Sequence, residues 1–215
     1  MTIELTAFPW VPDFAQGYVR DLRVRWALEE AGLAYKAVLI DPPTKASEAY
    51  RQWQPFAQVP AYRDGTVEMF ESGAIVLHIA ARSEALAPAD AAGRARVTTW
   101  VVAALNSIEP FAQNLIQLGA AADEAGAPGL RTQLETMLNE RLEALSAWLE
   151  GKDYLEGRFT AGDLIMTTVL RELVDDGVLA RFANLDAYRA RCEARPAFGR
   201  AMEAQMQTFR DHAPD

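Results

Sequence analysis

Residues 54–79, QPFAQVPAYRDGTVEMFESGAIVLHI, carry the groups with the clearest chemical use. The first is Val59-Pro60. Proline has no amide hydrogen and cannot complete a sheet ladder, so before a short strand it marks a turn, and an X-Pro bond takes the cis form at modest cost. A cis turn would point the Val59 amide and carbonyl away from the sheet, free to pair with an extended peptide backbone. The second is Glu71-Ser72, which opens an apolar helical segment. Amides and dipole at a helix N-terminus favour an anion, and Ser72 adds a hydroxyl for a carboxylate. Glu71 can hold a nearby ammonium group. A γ-glutamyl residue carries both charges on one carbon and so suits the pair. Taken alone, each element also reads as ordinary structure: a plain turn, and a serine cap.

The surrounding elements must bring these groups together. Residues 3–8 alternate as a short strand, and residues 9–17 form a loop containing Pro and Gly. Over residues 19–31, Leu22 with Trp26, and Val24 with Leu28 and Ala31, fall at helical spacing, and Gly32 stops the helix. Residues 35–40 read as a second strand, so the start is a βαβ unit with parallel strands. Asp41-Pro42-Pro43 is expected to break regular structure, and residues 47–54 to form a short helix. Asp64-Gly65 favours the tight turn of an antiparallel hairpin. The order is β-α-β-α-β-β-α, an α/β unit over residues 1–82.

Residues 83–90 read as a linker, and residues 91–215 are helical in character. A long helix over residues 91–118 can bend at Pro110, and residues 119–129 form a Gly- and Ala-rich loop. Leu134, Leu138, Leu142, Leu145 and Leu149 make a core-facing stripe. Thr160 with Asp163 forms a variant capping box, with Phe159 and Leu164 as its hydrophobic staple. Residues 185–193 and 198–210 form two further helices separated by Pro196.

Composition narrows the function. A formal charge of −9 repels phosphate backbones and argues against nucleic acid as a partner. Arg20, Arg23 and Arg25 do not share one helix face, so they read as a solvated surface. With Cys192 the only cysteine, no internal disulfide and no four-thiolate zinc site can form, and Cys192 is expected to be a buried structural thiol. His78 and His212 are too far apart in sequence for a helical metal pair and read as structural or surface residues, so no metal is expected. There is neither a long apolar run nor a basic leader, so no membrane association and a cytoplasmic location are expected.

The whole order is a βαβ unit, Val-Pro, an Asp-Gly hairpin, Glu-Ser opening a helix, a linker and an all-helical second half. In this order the chain resembles the soluble glutathione transferase family over nearly its full length. Residues 58–72 carry most of the specificity, helped by the capping segment at 159–163. The resemblance implies a thioredoxin-like N-terminal domain, an all-helical C-terminal domain, a cis Pro60 and a homodimer. It also implies that glutathione is the co-substrate, with the Val59 backbone pairing with its cysteinyl part. Glu71 and Ser72 would then hold the γ-glutamyl end, with Gln58 near the glycyl carboxylate.

Transfer chemistry needs glutathione as thiolate. The family places a Tyr, Ser or Cys after strand one to stabilise it. Here the chain departs from that pattern, with no Ser, Thr or Cys between Phe8 and Val24. Counting back along the first helix, Tyr18 falls near the position of a catalytic serine and Arg20 near that of a cysteine. Tyr18 could donate its phenolic hydrogen to the thiolate, and Arg20 could stabilise it by charge. Trp10 and Phe14, with Asn106 and Glu109 on the long helix, are the candidate acceptor pocket for a hydrophobic electrophile. The missing cysteine argues against disulfide exchange through a protein thiol. The missing Ser and Cys pair argues against a maleylacetoacetate isomerase-like role. The alternative reading is a non-catalytic glutathione-binding or regulatory protein of the same fold.

Overall fold

A computed structural model describes residues 2–119, 127–174 and 177–214. The chain divides into two compact units, Met1–Ala89 with Ala194–Asp215, and Asp90–Glu193.

The first unit starts with strand β1 (Ile3–Ala7), a 3-10 turn (Asp13–Ala15), helix α1 (Asp21–Ala31) and strand β2 (Tyr35–Leu39). Two short helices follow, α2 (Pro42–Ala46) and α3 (Glu48–Trp53), then strands β3 (Ala61–Arg63) and β4 (Glu68–Phe70) and helix α4 (Ser72–Ala80). The sheet order is β2-β1-β3-β4, with β1 parallel to β2 and antiparallel to β3, and β3 antiparallel to β4. This is the expected thioredoxin-like arrangement. As a central strand, β1 is covered on both faces, so its polar Thr6 is as deeply buried as Leu5.

Asp41-Pro42-Pro43 does not break the structure as expected. Asp41 caps α2, its Oδ1 accepting from the Thr44 amide at 2.8 Å, and Pro42 occupies the first turn. Proline is tolerated there because that amide has no helical acceptor to lose. The Asp64-Gly65 hairpin forms with a longer loop, because Arg63 pairs with Glu68 and the Asp64 amide donates to the Val67 carbonyl at 3.3 Å.

In the second unit, Asp90 accepts from the Gly93 amide at 2.7 Å and caps α5 (Ala91–Ala103). The expected bend at Pro110 is taken up by one π turn (Ala104–Ile108) leading into α6 (Glu109–Gly119). A proline ring crowds the carbonyl four residues back, and the wider turn gives it room. The expected loop at 119–129 is shorter at its ends, because Gly119 closes α6 and α7 (Ala127–Trp148) starts before Gly129; residues 120–126 lie outside the described residues. On α7, Leu138, Leu142 and Leu145 are buried, as is Leu149 just beyond it. Helix α8 (Ala161–Arg171) is buried on every side from Ala161 to Leu170, and it packs against α5 and against α9 (Ala183–Glu193). Its capping box forms: the Thr160 amide donates to Asp163 at 2.8 Å, and the Thr160 hydroxyl accepts from the Gly162 amide at 3.2 Å. Cys192 is buried on α9.

The chain then returns to the first unit with α10 (Pro196–Asp211), which Pro196 opens rather than precedes. It packs along α1: the Phe198 and Trp26 rings meet edge-on at 4.8 Å. Arg195 grips Glu30 with two bonds of 2.6 and 2.7 Å. This corrects the reading of the arginines. Arg23 and Arg25 are only 3% and 2% exposed, while Arg20 stays exposed. Helices α10 and α4 both pack along α1, and Arg23 lies against Ser72 of α4. No described helix is long and apolar enough to cross a membrane.

Candidate functional site

The β3–β4 register sets the geometry. Ala61 pairs with Phe70, so Val59-Pro60 just before β3 and Glu71-Ser72 just after β4 lie at one end of the hairpin. β1 runs antiparallel to β3, with Leu5 opposite Tyr62, so the C-terminal end of β1 reaches the same end. The loop carrying Trp10, Phe14, Tyr18 and Arg20 leaves from there.

The Val59–Pro60 bond is cis. Two hydrogen bonds flank the turn. The Ala61 amide donates to the Thr6 hydroxyl at 2.6 Å, and the Tyr50 phenol donates to the Gln58 carbonyl at 2.6 Å. Thr6 and Tyr50 are themselves bonded at 3.1 Å. The Tyr50 hydrogen is spent on Gln58, so Thr6 must be the donor between them. The relay runs Ala61 to Thr6 to Tyr50 to Gln58 and fixes both sides of the turn. Burial pushes the Tyr50 phenol above its usual value, and the Thr6 bond partly offsets this. The Val59 side chain sits in an apolar cluster with Ile40 and Tyr50, against which Phe8 and Val19 pack. Among the described residues, neither the Val59 amide nor its carbonyl makes a hydrogen bond. Its backbone is thus held in place with its pairing capacity unspent, while the Gln58 side chain is exposed.

Glu71 occupies the cap position of α4 with φ 71° and ψ 111°, and its side chain is exposed. Positive φ is costly for a residue with a Cβ and persists where the surroundings impose it. Ser72, first residue of α4, is buried, and its hydroxyl accepts from the Arg23 guanidinium at 3.4 Å. Arg23, Thr6 and Tyr50 escaped the sequence reading. Local spacing carried no signal for Thr6, which takes a polar position of the alternating strand as Glu4 does; its burial follows from the central place of β1 in the sheet.

The remaining candidates are less gathered. Tyr18 lies on a turn, its amide donating to the Ala15 carbonyl at 3.1 Å, with its side chain about one-third exposed at 36%. Arg20 is the residue before α1. Trp10 is half-buried, and Phe14 on its 3-10 turn is 84% exposed. Asn106, a candidate pocket residue, lies exposed within the π turn of the second unit, and Glu109, the other candidate on that helix, is buried at the start of α6. Below the loop, Gln205 of α10 donates to the Val19 carbonyl at 3.1 Å and to Asp21 at 2.6 Å. Asp21 also accepts from Arg25 at 2.7 Å. Burial pushes the Asp21 carboxyl up, and Arg25 opposes the shift.

Comparison with known proteins bears on the family and the fold. The family profile described as "Glutathione S-transferase, N-terminal domain" matches residues 15–81. Glutathione S-transferase 3 of Zea mays is 30% identical over 201 residues, covering 85% of this chain and 88% of that protein. A glutathione S-transferase of Hyoscyamus muticus is 28% identical over 199 residues, covering 85% and 92%. Among solved structures, a glutathione transferase of Burkholderia graminis superposes with a TM-score of 0.81 at 24% identity, over 94% of this chain and 88% of that one. That protein was crystallised with two glutathione molecules bound per subunit.

Proposed function

The chain belongs to the glutathione transferase family, and we propose that it binds glutathione and stabilises its thiolate for attack on a hydrophobic electrophile. The observation that carries this reading is the hairpin register, which sets the unspent Val59 backbone and the Glu71-Ser72 helix start at one end of the sheet. In this reading Val59 pairs with the cysteinyl backbone and Ser72 holds the γ-glutamyl carboxylate. Glu71 holds its ammonium group, and Gln58 reaches the glycyl end. Solved relatives with glutathione bound support the choice of ligand.

A cysteine-type thiol has a reference pKa of about 8.5, and lowering it by about two units takes about 2.7 kcal/mol. Tyr18 supplies this through its phenolic hydrogen and Arg20 through its charge, with Trp10 and Phe14 offering apolar surface to the acceptor. The reading carries with it a homodimer and a cytoplasmic location.

Calorimetric titration with glutathione tests the binding, and turnover of a chloronitrobenzene then tests the transfer. Binding without turnover would favour the second reading, a non-catalytic glutathione-binding or regulatory protein. The absence of Ser, Thr and Cys between Phe8 and Val24 speaks for that alternative. Failure to bind glutathione would sink both.

A further inference from the structure

Arg23 stands on the second half-turn of α1 and Ser72 on the first turn of α4, two helices that pack against each other in the first unit. The Arg23 side chain is almost wholly removed from water, at 3% exposure. An arginine is an expensive residue to bury, and its guanidinium offers five N–H donors and no acceptor. The bond of 3.4 Å to Ser72 therefore has only one polarity: Arg23 donates and the Ser72 oxygen accepts.

That polarity has a chemical consequence. A serine hydroxyl has one hydrogen and two lone pairs. With a lone pair taken by Arg23, the hydrogen must point elsewhere, so the hydroxyl is left as a donor. Among the described residues, the Ser72 amide has no hydrogen-bond acceptor either. Ser72 thus presents two donors, amide and hydroxyl, at the positive end of a helix. A carboxylate has two oxygens and only accepts, so the two donors match it.

We infer that Arg23 is a positioning residue for glutathione, holding the Ser72 hydroxyl as a donor to the γ-glutamyl carboxylate. The inference rests on the proposed glutathione site and adds to it a residue, on another helix, that acts through Ser72. Without Arg23, the hydroxyl can rotate to other partners, and the carboxylate loses an oriented donor.

A double-mutant cycle in the full chain tests this, with glutathione as the probe and calorimetric Kd as the readout. Ser72→Ala and Arg23→Gln are each expected to weaken binding by roughly tenfold, the loss of one hydrogen bond to a charged group. The combined variant should bind no more weakly than Ser72→Ala alone. Additive losses would overturn the inference, because Arg23 would then act without Ser72. A Ser72→Ala chain that binds glutathione as the parent does would overturn the site reading itself, an outcome that the single variant separates from the first. Should Arg23→Gln fail to fold, Arg23→Lys, which keeps a donor and the charge, runs the same cycle. Its loss must likewise vanish in the Ser72→Ala background, and a loss that persists there overturns the inference.

Discussion

The Thr6 hydroxyl donates to the Tyr50 phenol oxygen across 3.1 Å, joining the central strand to a short helix 44 residues further along the chain. The bond is the middle step of the relay that holds Gln58 and Ala61 on either side of Val59-Pro60. Replacing Thr6 with Val keeps the shape but removes an acceptor from the Ala61 amide and a donor from Tyr50. Leaving such groups buried and unpaired costs about 1–3 kcal/mol. Thr6→Val is therefore expected to lower the denaturation midpoint and weaken glutathione binding together. A variant as stable and as tight-binding as the parent would show that the relay does not hold the turn.

Tyr18 is the proposed donor to the thiolate. Tyr18→Phe should leave the glutathione Kd nearly unchanged and reduce kcat/KM by roughly 10²-fold, the scale of losing one oriented donor to a developing anion. The pH at which turnover rises should also move upward, toward the free thiol value of about 8.5. Full turnover by Tyr18→Phe would remove Tyr18 from the mechanism.

Asp64 gathers the hairpin end of the first unit. Its carboxylate accepts from Tyr62 at 3.1 Å, His78 at 3.0 Å and Arg82 at 2.6 Å, and from the Thr66 and Val67 amides at 2.9 and 3.2 Å. Burial would push this carboxyl up, but the hydrogen bonds from Thr66, His78 and Val67 outweigh it and hold it well below the usual range. A depressed folded pKa means that the contribution is fully present above the unfolded value of about 3.9 and is lost as the pH falls below it. Asp64→Asn should cost about 2 kcal/mol at neutral pH and flatten the loss of stability between about pH 4 and pH 2. Urea unfolding across that range checks both effects. An unchanged acid limb would show that Asp64 does not set it.

Gly162 lies where α8 meets α5. A Cβ added there would come within 2.7 Å of the Trp100 Cβ, closer than side-chain carbons pack. Gly162→Ala is expected to push the helices apart and cost about 1–3 kcal/mol, despite alanine's better helix propensity. Thermal unfolding measures the sign, and a more stable variant would contradict the close approach.

Phe198 packs edge-on against Trp26 and joins α10 to α1. Phe198→Ala should destabilise the first unit by about 3 kcal/mol through the cavity left behind. Amide exchange along α1 should speed up with it. Protection of α1 that is unchanged from the parent would mean that α10 contributes little to its burial.

Local chemistry made much of this protein legible. Gly32 ends α1 at φ 66°, the Thr160–Asp163 box caps α8, and Leu138, Leu142 and Leu145 of α7 face inward, because each depends on neighbours within a few residues. Val59-Pro60 and Glu71-Ser72 were legible for the same reason, since a turn and a helix start are written in adjacent residues. Asp41-Pro42-Pro43 was misread because proline both breaks helices and opens them, and only the Asp41 side chain reaching the Thr44 amide decides which.

Tertiary structure alone decided the rest. Thr6 meets Tyr50, Arg23 meets Ser72, and Phe198 covers Trp26 only because the chain folds back on itself. The arginines of α1 looked solvated because a helix read in isolation shows no neighbours; here α4 and α10 both pack along it, and Arg23 lies against Ser72. Sequence alone pointed to the residues of the proposed glutathione site and the order of the elements, since both rest on short-range patterns. Which side chains hold that site in shape depends on contacts made across 44 or 49 residues, where no local spacing records the pairing.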